Sequence, residues 1–169
     1  MGTKVKTKTR QEEVQKGPRP ALRKARASDV RAIHSLVNDF ARRQEMIPRS
    51  LNEIYENLRD FTVCEVDGAV AGVCALHVLW EDLAEIRSLA VKKDFQGLGI
   101  GRSLVRRALR EARDLGVKRV FALTYVVDFF KPFGFRDFDK QQLPQKIWGE
   151  CVRCAKFPEC DELAVIKEL

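Results

Sequence analysis

The sequence predicts an α/β (α+β) fold: a single domain with one mixed, mostly antiparallel sheet built around a central strand–loop–helix unit. Three observations carry that expectation. Segments with strand and helix periodicity follow one another as strand, two helices, three strands, helix, strand, short helix and late strands. An Asp67-Gly68 turn between "FTVCEV" and "AVAGVCALHVLW" makes a hairpin, and so antiparallel pairing. A glycine-rich turn, "FQGLGIG" from Phe95 to Gly101, joins a strand to a strongly amphipathic helix whose following strand returns to the sheet. With 169 residues, 45% apolar and 33% charged, the chain can form one core without disulfide or metal staples.

The elements follow in order. In residues 1–20, Lys4, Lys6, Lys8, Arg10, Lys16 and Arg19 outnumber Glu12 and Glu13, and apolar residues are too few to fold. A basic flexible extension is expected there, ending in the stiff break "KGPRP", with the folded domain over residues 21–169. "ALRKA" is a first strand. Ser28 or Asp29 caps a helix through about Phe40, with Val30, Ile33, Leu36, Val37 and Phe40 on one face. After the loop "ARRQEMIPRS", Ser50 and Glu53 form a capping box that opens a second helix to about Leu58. The hairpin comes next, then a strand from Ala84 to Val91. The helix after the glycine turn presents Ile100, Leu104, Val105, Ala108, Leu109, Ala112 and Leu115, and stops at Gly116. "KRVFALTY" is a strand, "VDFFKPF" a short helix limited by Pro132, and "GFRDFD" and "DELAVIKEL" are late strands.

Composition excludes several classes. The longest nearly apolar run is well short of the roughly 20 residues of a membrane span. No apolar signal-peptide stretch opens the chain, and Lys6 stands where a myristoylation site needs Ser or Thr. Cytoplasmic localisation follows, and an odd cysteine count of five argues against a disulfide framework. The net charge of +7 is concentrated in the basic arm, which is expected to be a solvated extension rather than a nucleic-acid contact.

The glycine turn narrows the function. A Rossmann fingerprint reads G-x-G-x-x-G after a first strand, and a P-loop needs Gly-Lys-Ser/Thr. Here three strands come earlier and Arg102 follows Gly101, so both fail. What fits is Gln96-x-x-Gly99-x-Gly101. "IRSLAVKKDFQGLGIGRSLV" resembles the acetyl-CoA motif of the GNAT superfamily of N-acetyltransferases, "FFKPFGF" resembles the motif that follows it, and the element order from Ala21 to Leu169 matches. The resemblance implies a GNAT-like domain with acetyl-CoA as cosubstrate. Backbone groups of Leu89, Ala90 and Val91 would pair with the pantetheine amides as an added strand does. Amides of Gln96, Gly97, Leu98, Gly99, Ile100 and Gly101, at the positive end of the helix, would hold the pyrophosphate. Arg102 would meet phosphate charge, and Phe130 would lie beside the cofactor.

More closely, "ALHVLWEDLAEIRSLAV", "RVFALTY", "FFKPFGF" and "LPQKIW" are similar to the acetyltransferase domain of N-acetylglutamate synthases, in the short form without a kinase domain. That resemblance implies acetylation of the α-amine of L-glutamate, at the start of arginine biosynthesis, by direct attack in a ternary complex. Other small or protein amines are the alternative acceptors, and a non-catalytic acyl-CoA-binding module is the alternative of another class. A small amino acid is the expected partner, without membrane or nucleic acid; a homodimer is compatible.

Such transfer needs a neutral amine, a polarised thioester and a stabilised thiolate. Glu85 matches the position where several GNAT enzymes carry a glutamate base. Strand alternation would put Glu85, Arg87, Leu89 and Val91 on one face. The tyrosine that many of these enzymes use as acid is replaced by Phe130, which has no proton to give; Tyr125 or water takes its place. A dicarboxylate acceptor wants cationic anchors, for which Arg87, Lys146 and Arg153 are the candidates. A hydrogen-bonded structural role is the simpler one for His77.

"CVRCAKFPEC" places Cys151, Cys154 and Cys160 in ten residues. They are the candidate metal ligands, but a structural zinc site takes four. A fourth would have to come from Cys64, Cys74, His34, His77 or Asp161. Against zinc stands the packing of reduced cysteines as small apolar groups in a turn.

Overall fold

The computed structural model describes residues 19–144, 149–152, 154 and 156–169. Most of the expected basic extension lies outside them, as do Lys146 and Arg153. The chain runs β1 (Ala21–Lys24), α1 (Val30–Arg42), α2 (Leu51–Glu56), β2 (Phe61–Val66), β3 (Ala69–Trp80), β4 (Leu83–Val91), α3 (Ile100–Asp114), β5 (Arg119–Thr124), the single turn α4 (Val127–Phe130), β6 (Arg136–Phe138) and β7 (Leu163–Glu168). One seven-stranded sheet results, in the order β1-β2-β3-β4-β5-β7-β6. Its neighbours are antiparallel except β4 and β5.

Local chemistry sets the element ends. Asp67 (φ 50°) and Gly68 (φ 80°) make the left-handed two-residue turn that matches strand twist in the β2–β3 hairpin. The Ser50 hydroxyl accepts from the Glu53 N–H at 3.2 Å and Glu53 accepts from the Ser50 N–H at 2.8 Å, which closes the capping box of α2. This helix is shorter than its sequence predicts. The Asn57 amide donates to Glu53 O at 2.8 Å, and a tight turn over Leu58–Asp60 leads into β2. At the other end of the domain, Val126 N–H turns back onto Thr124 Oγ1 at 3.0 Å, so β5 stops one residue before Tyr125.

Helices cover both sheet faces. Val30, Ile33, Leu36 and Val37 of α1, with Ile54 of α2, pack on Phe61, Val63, Val73, Ala75 and Ala90. On the opposite face the buried side of α3 packs on Cys64, Cys74, Leu76 and Ile86. Each fully buried Val, Leu or Ile contributes roughly 1.5–3 kcal/mol, far more than helix propensity does.

The alternation expected for β4 breaks. Val73 faces Ala90 but Ala75 faces Arg87, so β4 carries one extra residue, at a bulge where Ser88 has φ 52°. The extra residue reverses the facing of everything beyond it. Leu89 and Val91 join the α3-side core, whereas Arg87 shares the opposite face with Ala75. Glu85, Arg87, Leu89 and Val91 therefore do not share one face.

Gly72 lets α3 approach the sheet. A Cβ there would lie 2.9 Å from Ile100 Cγ2 and 3.2 Å from Leu104 Cδ1. Both neighbours are buried, so Gly72→Ala should destabilise the fold by about 1–3 kcal/mol. Urea unfolding would measure it; an unchanged midpoint would show that α3 shifts without strain.

Candidate active site

β4 and β5 pair only over Leu83–Glu85 and Arg119–Phe121. Beyond that point β4 stays with β3 and β5 with β7. The facing edges of Ile86–Val91 and Ala122–Thr124 consequently have no ladder between them, which opens a wedge in the middle of the sheet. Its walls are Ile86, Arg87, Ser88, Leu89, Leu123, Thr124, Tyr125, Val126 and Phe130. A second hollow continues from it along Leu89, Val91, Phe95 to Gly97, Gly99 to Arg102, Val126 and Phe129. Leu89 and Val91 thus lie on the wedge and Ala90 points into the α1-side core.

The glycine turn sits at the outer end. Gly97 (φ 79°) and Gly99 (φ 77°) adopt left-handed backbone that other residues take only with strain. Gln96 Nε2 donates to Val91 O at 3.0 Å and ties the turn to the end of β4. The first intrahelical bond of α3 runs from Ser103 N to Gly99 O, leaving the N–H groups of Ile100, Gly101 and Arg102 without helical acceptors. These donors, added to the helix dipole, suit a pyrophosphate. A Cβ at Gly101 would lie 3.4 Å from Phe129 Cζ, in ordinary van der Waals contact, so the helix start packs closely on the α4 aromatic rings. Leu98 and Arg102 are exposed beside this turn.

Phe130 is a core ring, 3% exposed and packed edge-on against Phe129 and Phe135, each at 5.2 Å between centroids. Tyr125 stands at the mouth of the wedge. Its hydroxyl accepts from Lys156 Nζ at 2.6 Å. Partial burial raises the phenol's pKa against the opposing pull of Lys156, so the phenol keeps its proton at neutral pH.

A charged cluster lies where the two strands part. Glu85 faces His77 in the β3–β4 register. Burial raises its carboxyl to about 7, although Arg87, Arg49 and His77 pull the other way and Glu150 adds to the rise. Arg87 Nη1 donates to Glu150 Oε1 at 2.8 Å, and Arg49 Nη2 donates to Glu150 Oε2 at 2.7 Å. Asp60 Oδ2 lies 2.6 Å from His77 Nδ1 and 3.8 Å from Arg87 Nη2. Desolvation disfavours charge on Glu150, but the Arg49 hydrogen bond and the two guanidinium charges prevail and hold it below the usual glutamate range. Asn38 anchors Arg49 by donating to its carbonyl at 2.8 Å and accepting from its N–H at 3.3 Å. Arg49, Asp60 and Glu150 went unrecognised in the sequence, where each stands in a loop or turn with no periodicity to mark it.

Cys151, Cys154 and Cys160 border a small hollow with Ile47, Leu123, Leu143, Phe157 and Pro158, while Cys64 and Cys74 are buried in the α3-side core. Among the described residues no group of three or more His, Cys, Asp or Glu side chains is placed to hold a metal. Zinc is therefore unsupported. No helix of the described residues is long and apolar enough to cross a membrane.

Residues 27–135 match the acetyltransferase (GNAT) family. An uncharacterized N-acetyltransferase of Chlorobaculum tepidum is 43% identical over 88% of this chain and 96% of its own length. The amino-acid acetyltransferase of Mycobacterium tuberculosis is 41% identical over 80% of this chain and 79% of its own. The N-acetylglutamate synthase of Neisseria gonorrhoeae, solved with coenzyme A and N-acetyl-glutamate, shares the fold at a TM-score of 0.81 and 24% identity, over 91% of this chain and 36% of that one. With the wedge, the glycine turn and these relatives in view, the chain belongs to the acetyltransferase (GNAT) family and is an acetyl-CoA-dependent N-acetyltransferase.

Proposed function

We propose that the acceptor is the α-amine of an amino acid, L-glutamate first, and that the enzyme serves the start of arginine biosynthesis. The observation that carries this reading is the pair of guanidinium groups, Arg49 and Arg87, each with a side chain only 10% exposed, beside a carboxyl raised to about 7. Paired guanidinium groups bind a carboxylate through charged hydrogen bonds, as they do that of Glu150, and a carboxylate-bearing substrate offers the same group. Lys146 and Arg153 are proposed as further carboxylate contacts.

Acetyl-CoA would lie along the wedge. Its pantetheine amides pair with the free edge of β4 around Leu89 to Val91, with Phe130 packed beneath. Its pyrophosphate rests on the amides of Gln96 to Gly101, with Leu98 at the rim and Arg102 toward the phosphates. In this arrangement Glu85 takes a proton from the substrate ammonium, directly or through one water. The freed amine attacks the thioester carbonyl, a C–N bond forms and the C–S bond breaks. The departing thiolate receives a proton from Tyr125 or from water, and the second proton, which the nitrogen sheds as the amide forms, restores that donor. A group titrating near neutrality suits this, because it accepts the proton without being fully ionised beforehand. The protein relatives named amino-acid acetyltransferase support the same acceptor class.

Three outcomes test this reading. The kcat/KM for glutamate should rise with pH through about 7, as the Glu85 carboxyl loses its proton, and level off above. Glu85→Gln should lower kcat roughly 10²–10⁴-fold and abolish that limb; an unaltered pH profile would remove Glu85 from the role of base. Arg87→Ala should raise the KM for glutamate about 10–100-fold, the loss of a charged hydrogen bond, while affecting simple amines little. An acceptor panel followed by CoA release decides the class: strong turnover of peptides with none of amino acids would overturn the assignment.

A further inference from the structure

Glu150 belongs to the charged cluster, but the proposed transfer gives it no role. Its carboxylate spans the two arginines, one oxygen on each: Oε1 to Arg87 and Oε2 to Arg49, at 2.8 and 2.7 Å. The arginine side chains are 10% exposed and that of Glu150 is 31% exposed, so the acid is the most accessible of the three. Those are the hydrogen bonds that an acceptor's carboxylate would form with the same guanidinium groups. The residue comes from a distant part of the chain, 101 positions after Arg49 and 63 after Arg87, on the segment that carries the cysteines.

We infer that Glu150 is a built-in substitute for the acceptor's carboxylate, which occupies Arg49 and Arg87 in the free enzyme and must be displaced by the acceptor. The inference rests on the amino-acid reading of the site and adds a gate to it. Two neighbouring guanidinium groups without an anion would repel each other and stay poorly solvated. Glu150 removes that cost while the site is empty. An amino acid trades one carboxylate for another, so the exchange costs little. An amine without a carboxylate has nothing to offer the arginines, and Glu150 stays where it is. The gate lowers apparent affinity for a carboxylate-bearing acceptor by the fraction of time the arginines are free, and in return it keeps the guanidinium pair neutralised while the site is empty.

The test pairs kinetics with a labelling experiment on the intact protein. Glu150→Gln keeps the side-chain shape and removes the charge. Its KM for L-glutamate, relative to that for 2-phenylethylamine, should fall about tenfold, the size expected if the arginines are free about a tenth of the time. In the wild type, saturating glutamate or succinate should speed alkylation of Cys151 by iodoacetamide, read by peptide mass spectrometry, because displacement of Glu150 moves its neighbour. A rise in that KM ratio would overturn the inference and make Glu150 a scaffold for the arginines, as would unchanged labelling with both dicarboxylates. If no amino acid is acetylated by either protein, the acceptor assignment fails, and the succinate labelling result alone decides for or against displacement of Glu150.

Discussion

The structure depends on the place where β4 and β5 stop pairing. Three residue pairs hold the strands together, after which each keeps only its outer neighbour. An unpaired backbone edge inside a sheet is normally a liability, since buried N–H and C=O groups cost free energy unless they are bonded. In the proposed function that exposed edge becomes the means of recognition, with an extended ligand completing the ladder. The extra residue at Ser88 serves the same end. By reversing the facing of β4 it turns Arg87 toward α1 and α2 while leaving Leu89 and Val91 on the α3 side. One strand then supplies a polar wall at its start and an apolar one at its end.

The charges follow from that geometry. Glu85 and Arg87 project from β4, His77 from β3, Asp60 from the turn before β2, Arg49 from the loop before α2, and Glu150 from the segment before β7. Five separate parts of the chain thus converge, and the convergence is what desolvates Glu85 enough to raise it to about 7. Nearby arginines would otherwise hold a carboxyl low. Burial is the largest influence, and the nearby Glu150 carboxylate adds to the rise. If Glu85 is the base proposed above, its working range depends in part on an acid that the transfer itself does not use.

Most of the element order was legible in the sequence. The hairpin turn at Asp67-Gly68, the capping box at Ser50 and Glu53 and the face of α3 are local patterns, and local patterns survive into the fold. The glycine turn was legible too, because its spacing reports a backbone requirement. What stayed hidden arises between distant segments. Nothing next to Arg49 or Glu150 reveals that they meet across 101 positions. Ser88 is not a residue type that announces a left-handed backbone, so the bulge and its reversal of β4 escaped the alternation rule. Tyr125 was assigned to a strand that ends one residue sooner, because a threonine hydroxyl captured the next free N–H.

The sheet order has a bearing on how this chain is made. β7, near the end of the sequence, lies between β5 and β6, and it is the only partner of β6 and the main partner of β5 among the described residues. While the ribosome is still producing the segment before Leu163, β1 to β4 and α1 can already associate, but the far half of the sheet has an open edge. That half can close only once β7 emerges. Chaperone capture of nascent chains would fall in that interval, and loss of β7 would expose the edge for good.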